Sequence, residues 1–451
     1  MTDTPRTPPP QRSGVHRFPP RNGRARRDPP VLLTTLGSLG DLYPVLSIAR
    51  VLESRGVEAR LALTPDDCEV ARRWGLLATP VGPSRAQVAA QLGRSQDDIA
   101  AAVLHDASRQ VDEALIPMLP GLVAELAPLA EGAGCVAATT FALHAPMVAE
   151  RAGLPFVPLM LQPMMALSAL DPPRARRFGA MVPRPRSTLA RRWNEEIMTL
   201  GKILLRRRHL SGLDGVRQGL GLPAHSGTPL LDPGPARVPL RLGLWSPNFS
   251  PKPPDAPSGL EVVGFPPAPD DPLPHEVEVW IDEGPPPLVV TLGSIAQSLG
   301  GDRFWIEAVA LARRMGLRAV LLHGAAVVPE GDDILARPYL PHAPLFPKAA
   351  AVIHHGGIGT TAEAMRSGRP QLVVPVGGDQ PDNAARLERL DLAVTLPIRR
   401  FRAKPAHRRL AALLDRFDYA AAGDLGAEVA AENGAQAAAA ELLKVARELW
   451  L

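Results

Sequence analysis

A strand-like apolar run followed by Leu-Gly-Ser occurs twice in this chain, and this repeat constrains the possible fold more than any other feature. The first copy is VLLTTLGSLGDLYP at residues 31–44, and the second is LVVTLGSIAQSLGG at residues 288–301. After each copy, short apolar runs alternate with segments of helical periodicity. This alternation is typical of a parallel sheet covered by helices. The repeat therefore predicts two similar α/β units.

Proline-rich residues 246–259, with the sequence SPNFSPKPPDAPSG, predict a linker between the two units. A first domain is accordingly expected at residues 31–245. A second domain is expected at residues 260–425, opening with the strand-like run LEVVGF. The two domains account for most of a chain of 451 residues.

The two ends of the chain differ from these domains in composition. Residues 1–30 contain seven Arg, two Asp and many prolines without an apolar run, which predicts a disordered tail and no signal peptide. The Ala-rich residues 424–450 predict one long helix. The last residues, 426–451, are expected to pack back toward the first domain.

Charge and cysteine content narrow the class of protein. The formal net charge is +4 and aromatic residues make up 4% of the chain, so no basic stacking surface for nucleic acid is evident. The two cysteines, Cys68 and Cys135, are far apart and fit a reducing cytoplasm. The longest apolar stretch, residues 153–170, is interrupted by three prolines, which argues against a membrane span.

Positive charge is concentrated in residues 172–210, which hold eleven Arg and Lys against two Glu. Apolar residues recur there at helical spacing, at positions Leu189, Trp193, Ile197, Leu200 and Leu204. An amphipathic basic helix of this kind can contact an anionic membrane or a carrier protein. The alternative is an ordinary solvated helix face.

The stretch AAAVIHHGGIGTTAEAMRSGRPQLVVPVGGDQPDNA, residues 349–384, carries the clearest chemistry. An apolar strand leads into His354 and His355, then into glycines, and then into a helix that begins near Thr360. Glycines let a ligand approach the backbone, and a helix N-terminus offers free N–H groups and the positive end of its dipole. The stretch therefore predicts an anion site, most naturally for a diphosphate.

A dinucleotide-binding interpretation of the same stretch remains open from the residues alone. Gly357, Gly359 and Ala362 match the Gly-x-Gly-x-x-Ala fingerprint, and Asp379 follows about 20 residues later. This interpretation would make the protein a nicotinamide or flavin enzyme. It leaves the histidine pair and the sequence GGDQ unexplained.

The segment HHGGIGTTAEAMRSGRPQLVVPVGGDQPDNAARL, residues 354–387, resembles the donor signature of the family 1 nucleotide-sugar-dependent glycosyltransferases of the GT-B fold. The likeness is in the style of bacterial natural-product and sterol-type members. Residues 31–56 are similar to that family's first strand, loop and helix, and residues 245–257 resemble its interdomain linker. The resemblance implies two facing Rossmann-like domains with parallel sheets and a deep cleft between them.

The resemblance also implies roles for individual residues. Contacts to the donor diphosphate fall on Ser294, His355, Gly357, Thr360 and Thr361. Contacts to the ribose and base fall on Tyr339, His342 and Glu363, and contacts to the donor sugar on Asp379 and Gln380. The donor is expected to be a UDP- or dTDP-linked sugar that serves as co-substrate, with no other cofactor.

Asp41 is the predicted catalytic base, since it follows the first strand at the sheet edge where open α/β folds bind ligands. The resemblance places it in the position that bacterial members fill with Asp. The alternative is that Asp41 only caps the helix that follows it. Inverting transfer needs such a base opposite the group that stabilises the leaving diphosphate.

The acceptor pocket is expected in the first domain, around His144, Met160 and Met164. No Asp-x-Asp motif or His/Cys cluster indicates a metal. The predicted function is transfer of a hexose to a hydroxyl of a hydrophobic small molecule in the cytoplasm. A nucleotide-sugar epimerase of the same fold and a non-catalytic helper of a partner transferase remain as alternatives.

Overall fold

The first half of the chain forms a parallel sheet in the computed structural model, which describes residues 28–174, 179–269 and 271–448. The strands of this sheet are β1 (Val31–Thr34), β2 (Ala59–Leu63), β3 (Ala78–Pro80), β4 (Cys135–Thr139), β5 (Phe156–Met160), β6 (Arg241–Gly243) and β7 (Leu260–Val262). They lie in the order β3-β2-β1-β4-β5-β6-β7, and every neighbouring pair is parallel. The central strand β1 is buried along its whole length because helices cover both faces of the sheet.

The second half forms another parallel sheet. Its strands are β8 (Leu288–Thr291), β9 (Ala319–Leu322), β10 (Ile334–Arg337), β11 (Ala351–His354), β12 (Gln371–Val373) and β13 (Ala393–Thr395). The order is β10-β9-β8-β11-β12-β13, again with only parallel neighbours. The two copies of the Leu-Gly-Ser element follow β1 and β8, which each lie inside their sheet. The predicted pair of α/β units is therefore confirmed.

Helices connect the strands. In the first half they are α1 (Leu39–Ser54), α2 (Pro65–Arg73), α3 (Arg85–Leu92), α4 (Gln96–Gln110), α5 (Ile116–Leu126), α6 (His144–Ala152) and α7 (Thr188–Gly219). In the second half they are α8 (His275–Asp282), α9 (Gly293–Arg314), α10 (His342–Leu345), α11 (Ile358–Arg366), α12 (Gln380–Arg389), α13 (Ala403–Leu414), α14 (Tyr419–Ala431) and α15 (Gly434–Glu448).

The segment between the sheets is packed, and the second unit begins later than the sequence predicts. The prediction that LEVVGF opens the second unit is wrong, because β7 pairs with β6 at the edge of the first sheet. Within the predicted linker, Ser246 and Ser250 are buried. The indole nitrogen of Trp245 donates a hydrogen bond of 2.9 Å to the carbonyl oxygen of Ser250. The proline-rich segment is therefore packed against the protein and held by hydrogen bonds.

The C-terminal end is two helices, so the prediction of one helix over residues 424–450 is wrong. The break follows α14 at Glu432, whose carboxylate accepts a hydrogen bond of 2.6 Å from the hydroxyl of Ser246. Gly434 opens α15 so close to Gly264 that a Cβ atom would lie 2.2 Å from the Gly264 carbonyl oxygen. Tertiary contact thus overrides the helix propensity of the alanines.

The break redirects the end of the chain from one sheet to the other. Helix α14 packs on α11 of the second half, whereas α15 packs on α1, β1 and β4 of the first half.

Residues 1–27 of the predicted tail lie outside the described residues. One helical stretch, Ser108–Ala130, is long and apolar enough by length and composition to cross a membrane, and its Leu119, Leu122 and Leu126 are buried in the core of the first half.

Candidate active site

A cleft of about 2150 Å³ lies between the two sheets. Its walls are the loops that follow β1, β4 and β5 on one side and β8, β11 and β12 on the other. These loops all leave the carboxyl ends of parallel strands, which is where open α/β sheets bind ligands.

Asp41 lines this cleft from the first sheet. It is the third residue of α1, and its Oδ2 accepts hydrogen bonds from the backbone nitrogen of Ser38 (2.8 Å) and the Ser38 hydroxyl (3.0 Å). The Ser38 hydroxyl in turn accepts from the nitrogen of Gly40, which completes a reciprocal capping box. The N-cap of the helix is thus Ser38, and Asp41 takes part in capping while it faces the cleft.

Burial is the largest influence on the Asp41 carboxyl and raises its pKa. The two hydrogen bonds from Ser38 act in the opposite direction, and the carboxylate of Asp67 adds a further upward shift. A raised pKa makes the ionised form a stronger base than an ordinary exposed aspartate.

His355 lines the cleft from the second sheet, held between two glycines. A Cβ atom on Gly357 would lie 2.3 Å from His355 Nε2, and one on Gly293 would lie 2.5 Å from Cε1. The Nδ1 atom of His355 is buried and has no hydrogen-bond partner among the described residues. Burial lowers the pKa of His355 to about 3, so the ring is neutral at pH 7.

The adjacent His354 has a structural role. It is fully buried, its Nε2 lies 3.0 Å from the side-chain oxygen of Gln371, and its Nδ1 accepts from the nitrogen of Gly356. The two histidines therefore differ in role: the His354 ring stabilises the loop, and the His355 ring faces the cleft.

The N-terminus of α11 opens into the cleft beside His355. Its N-cap is Gly357, which has no side chain to satisfy the first N–H groups. Thr360 lines the cleft one residue beyond Gly359. Thr361 is fully buried and does not line the cleft, and its hydroxyl has no hydrogen-bond partner within the described ranges. Free N–H groups, a threonine hydroxyl and a neutral imidazole make this a cradle for an anion.

Asp379 and Gln380 also line the cleft, at the start of α12. Asn383, one turn later, donates to Asp379 Oδ2 (2.7 Å) and to the carbonyl oxygen of Gly356 (2.9 Å), so it joins the two loops. Burial, with a smaller contribution from the nearby Asp41 carboxylate, raises the pKa of Asp379 to about 7. The side-chain oxygen of Gln380 accepts from the nitrogens of Val376 and Gly377, which leaves only its amino group for a ligand.

Tyr339, His342 and Glu363 stand together at another part of the cleft wall. Tyr339 is half exposed, and burial of its hydroxyl together with the neighbouring Tyr43 raises its pKa. The ring of His342 stacks on Phe346 at 4.6 Å, and burial lowers its pKa to about 4. Glu363 is buried and forms an ion pair with Arg366. The side chain of Ser294 lies outside the described residues, although Gly293 beside it lines the cleft.

Of the predicted acceptor residues, only Met164 lines the cleft. His144 is fully buried, neither of its ring nitrogens has a hydrogen-bond partner in the part of the chain that the structure describes, and burial lowers its pKa to about 4. Met160 packs in the hydrophobic core of the first half. Both predictions fail for the same reason, since these side chains point into the protein. Part of the cleft wall from the first half is apolar and is lined by Phe141, Leu161, Met164, Met165, Leu167 and Met181.

Some cleft residues were not identified from the sequence. The Tyr43 hydroxyl lies near the Tyr339 hydroxyl of the opposite half, and the Tyr43 ring stacks on Trp74 at 5.5 Å. Asn383 could have been found from its spacing, one helical turn after Asp379. Tyr43 gave no such signal, because its partners are distant in the chain. Among the described residues, no group of three or more His, Cys, Asp or Glu side chains could hold a metal ion.

The chain is similar in sequence to known enzymes. Residues 317–449 match the C-terminal domain of the erythromycin biosynthesis protein CIII-like family. Vancomycin aglycone glucosyltransferase of Amycolatopsis orientalis is 30% identical over 384 residues, which cover 81% of this chain and 85% of that protein. O-mycaminosyltylonolide 6-deoxyallosyltransferase of Streptomyces fradiae is 32% identical over 431 residues, which cover 90% and 95%.

The fold is also shared with solved structures. The glycosyltransferase of kitacinnamycin superposes with a TM-score of 0.67 at 19% identity, covering 93% of this chain and 99% of that one. Glycosyltransferase VinC, solved in complex with dTDP, superposes with a TM-score of 0.63 at 22% identity, covering 93% and 100%. The predicted arrangement of two Rossmann-like units is confirmed by these likenesses.

Proposed function

Because this chain belongs to the natural-product glycosyltransferases of the GT-B fold, we propose that it moves a hexose from a UDP- or dTDP-sugar to a hydroxyl of a hydrophobic small molecule, with inversion. Family membership makes the nicotinamide or flavin interpretation of residues 357–362 wrong. The proposal assigns the first unit, with strands β1–β7, to the acceptor and the second unit, with strands β8–β13, to the donor. The cytoplasmic location of the protein stays a prediction.

One observation carries the proposal: Asp41 and the open N-terminus of α11 face the same cleft from opposite sheets. In the proposed reaction, the Asp41 carboxylate takes the proton of the acceptor hydroxyl. The freed oxygen electron pair forms the new bond to the anomeric carbon while the bond to the diphosphate oxygen breaks. The departing diphosphate is stabilised by the α11 N–H groups, Thr360 and His355.

Other residues that line the cleft are proposed to contact the donor. Asp379 and the amino group of Gln380 would bind sugar hydroxyls, and Tyr339, His342 and Glu363 would surround the nucleoside. The complex of VinC with dTDP supports a dTDP-linked donor. The apolar wall around Met164 and Met165 supports a hydrophobic acceptor.

The decisive test is Asp41→Asn, because asparagine keeps an oxygen for the capping box but removes the base. We expect nucleotide release from UDP-glucose and dTDP-glucose, measured with a panel of hydroxylated aromatic and macrolide acceptors, to fall by about 10²–10⁴-fold. UDP and dTDP affinity, measured by calorimetry, should stay within about twofold of the parent value.

Ser38→Ala is the matched control, since it weakens the cap and leaves the carboxylate in place. Normal turnover by Asp41→Asn would remove Asp41 from the mechanism. Donor turnover by the parent without any acceptor would favour an epimerase, and failure to bind any nucleotide would favour a non-catalytic helper.

A further inference from the structure

Helix α7 (Thr188–Gly219) exposes a group of large apolar side chains on the protein surface. In the part of the chain that the structure describes, twelve large hydrophobic residues are exposed, and five of them lie on this helix. These five, with their exposed fractions, are Leu189 (79%), Trp193 (51%), Leu200 (52%), Ile203 (43%) and Leu204 (57%). We call this group the α7 stripe.

The α7 stripe occupies one face of the helix. Leu189, Trp193, Leu200 and Leu204 are separated by four, seven and four residues, which places them above one another at 3.6 residues per turn. The opposite face is buried through Asn194, Met198, His209 and Leu213. The sequence predicts an amphipathic helix, but the apolar stripe points outward and the mixed polar face packs inward.

The orientation of the helix is fixed by specific hydrogen bonds. The amide of Asn194 donates to the carbonyl oxygens of Ala169 (2.9 Å) and Val182 (3.0 Å) and accepts from the Val182 nitrogen. The indole nitrogen of Trp193 donates 2.8 Å to the carbonyl oxygen of Ala180. Rotation of the helix to bury the stripe would break these bonds, so the apolar face is presented in a rigid form.

Two exposed basic residues lie beside the α7 stripe: Arg192 is three residues after Leu189, and Arg207 is three residues after Leu204. We call these two arginines the basic rim. Glu196, three residues after Trp193, is an acidic residue on the same side of the helix. In the described residues, Arg192 and Arg207 have no ion-pair partner. An apolar stripe with an aromatic ring and unpaired cations matches the chemistry of a bilayer surface that carries anionic headgroups.

The position of the helix relates the stripe to the cleft. Leu205, on the inner side of α7, lines the acceptor wall of the cleft, as do Met181 and Pro183 just before the helix. The stripe and the cleft wall are therefore separated by one helix, whose diameter is about 10 Å. A surface bound to the stripe lies beside the apolar part of the cleft.

We propose that the α7 stripe and its basic rim dock the protein on an anionic lipid bilayer. Charge complementarity selects this occupant over a second copy of the chain, because two copies would bring like charges together. Docking would place the acceptor side of the cleft next to the phase in which a hydrophobic acceptor concentrates. The docking itself does not depend on the proposed reaction.

The test is flotation of the full chain with vesicles of phosphatidylcholine, alone or mixed with phosphatidylglycerol. We expect binding to the mixed vesicles, weakened by salt, and binding to phosphatidylcholine alone at least about tenfold weaker. Replacing Leu189, Trp193, Leu200 and Leu204 by Ser should weaken binding to the mixed vesicles by about tenfold or more. Leu77, Ile306 and Val327 are exposed on other parts of the surface, and replacing these three residues by Ser should leave binding to the mixed vesicles unchanged.

A second pair of variants separates the charge from the apolar contribution. Arg192→Gln and Arg207→Gln together should lower affinity for the mixed vesicles and reduce its salt dependence. Arg408→Gln and Arg409→Gln, with the same charge change on exposed positions of α13, should not. All variants retain the arginine-rich residues 1–30, so a loss confined to the α7 variants is due to the helix.

Circular dichroism and UDP binding check that each variant is folded. The proposal is overturned if the parent chain does not bind the mixed vesicles or if the α7 variants bind as the parent does. It is also overturned if the parent forms a dimer that the four-Ser variant abolishes without any vesicle binding. Failure of sugar transfer, by contrast, would leave the vesicle result untouched.

Discussion

At the scale of single residues, the two Leu-Gly-Ser elements have the same steric purpose. A Cβ atom on Gly37 would lie 2.4 Å from Asp41 Oδ2, and one on Gly293 would lie 2.5 Å from His355 Cε1. Each glycine therefore makes room for one side chain that faces the cleft. The repeat makes room for the proposed base, Asp41, in the first unit and for His355 of the anion cradle in the second.

Asp379 leads to a prediction about pH and stability. Burial raises its pKa from 3.8 to about 7, so between these values the folded chain holds a proton that the unfolded chain has lost. The contribution of Asp379 to the free energy of unfolding should therefore fall as pH rises from about 4 to about 7, because ionisation of the buried carboxyl destabilises the fold. Asp379→Asn removes this effect, since the amide oxygen can still accept from Asn383.

Urea unfolding of the parent and Asp379→Asn at several pH values checks this prediction. The free energy of unfolding of Asp379→Asn, relative to that of the parent, should increase by up to about 4 kcal/mol between pH 4 and pH 8. Asp391→Asn, at an exposed position, should show no such pH-dependent gain. Parallel curves for the parent and Asp379→Asn would mean that the native carboxyl has an ordinary pKa.

At the scale of elements, the N-terminus of α11 depends on the glycine that precedes it. A side chain at Gly357 would collide with the imidazole of His355, whose Nε2 would lie 2.3 Å from the new Cβ atom. We expect Gly357→Ala to weaken UDP or dTDP binding by about tenfold or more, as measured by calorimetry. The cause would be displacement of the ring from the anion cradle.

A double-mutant cycle with His355→Ala supplies the control. If Gly357 acts through the ring, then Gly357→Ala should have little further effect once His355 is alanine. Additive losses in the double variant would show that Gly357 contributes to binding independently of His355.

At the scale of the whole molecule, a buried ionic network joins the two halves of the chain. Arg386 on α12 is almost fully buried and pairs with Asp382 (2.7 Å) and with Asp171 of the first half. It also donates 2.6 Å to the hydroxyl of Ser250 in the connecting segment. Arg389 contacts the same Asp171 at 2.8 Å, but it is only half-buried.

Removing Arg386 should therefore destabilise the protein far more than removing Arg389. Arg386→Met leaves two carboxylates without their main partner, at a cost of about 3–5 kcal/mol in the free energy of unfolding. Arg389→Met should cost less than about 1 kcal/mol. Urea unfolding followed by circular dichroism measures both, and equal costs would contradict the structural role given to Arg386.

Much of the fold and part of the site could be predicted from the sequence, because their signals are local. Apolar runs of four or five residues predict β1, β4, β8 and β11, since a strand buried on both faces has few polar side chains. Glycines between a strand and a helix predict the anion cradle at His355. Asp41 directly follows the Leu-Gly-Ser-Leu-Gly sequence. The pattern therefore places it beyond the carboxyl end of the first strand, where the sheet meets the cleft.

The rest depended on contacts between distant parts of the chain. Only the tertiary structure shows that His144 and Met160 point into the core, that Gly434 must break the last helix against Gly264, and that Tyr43 meets Tyr339 across the cleft. Helical spacing alone predicts the α7 stripe, yet its outward direction is decided by the hydrogen bonds of Asn194. Periodicity reports which residues share a face, whereas burial of that face is decided by neighbours that the local sequence does not contain.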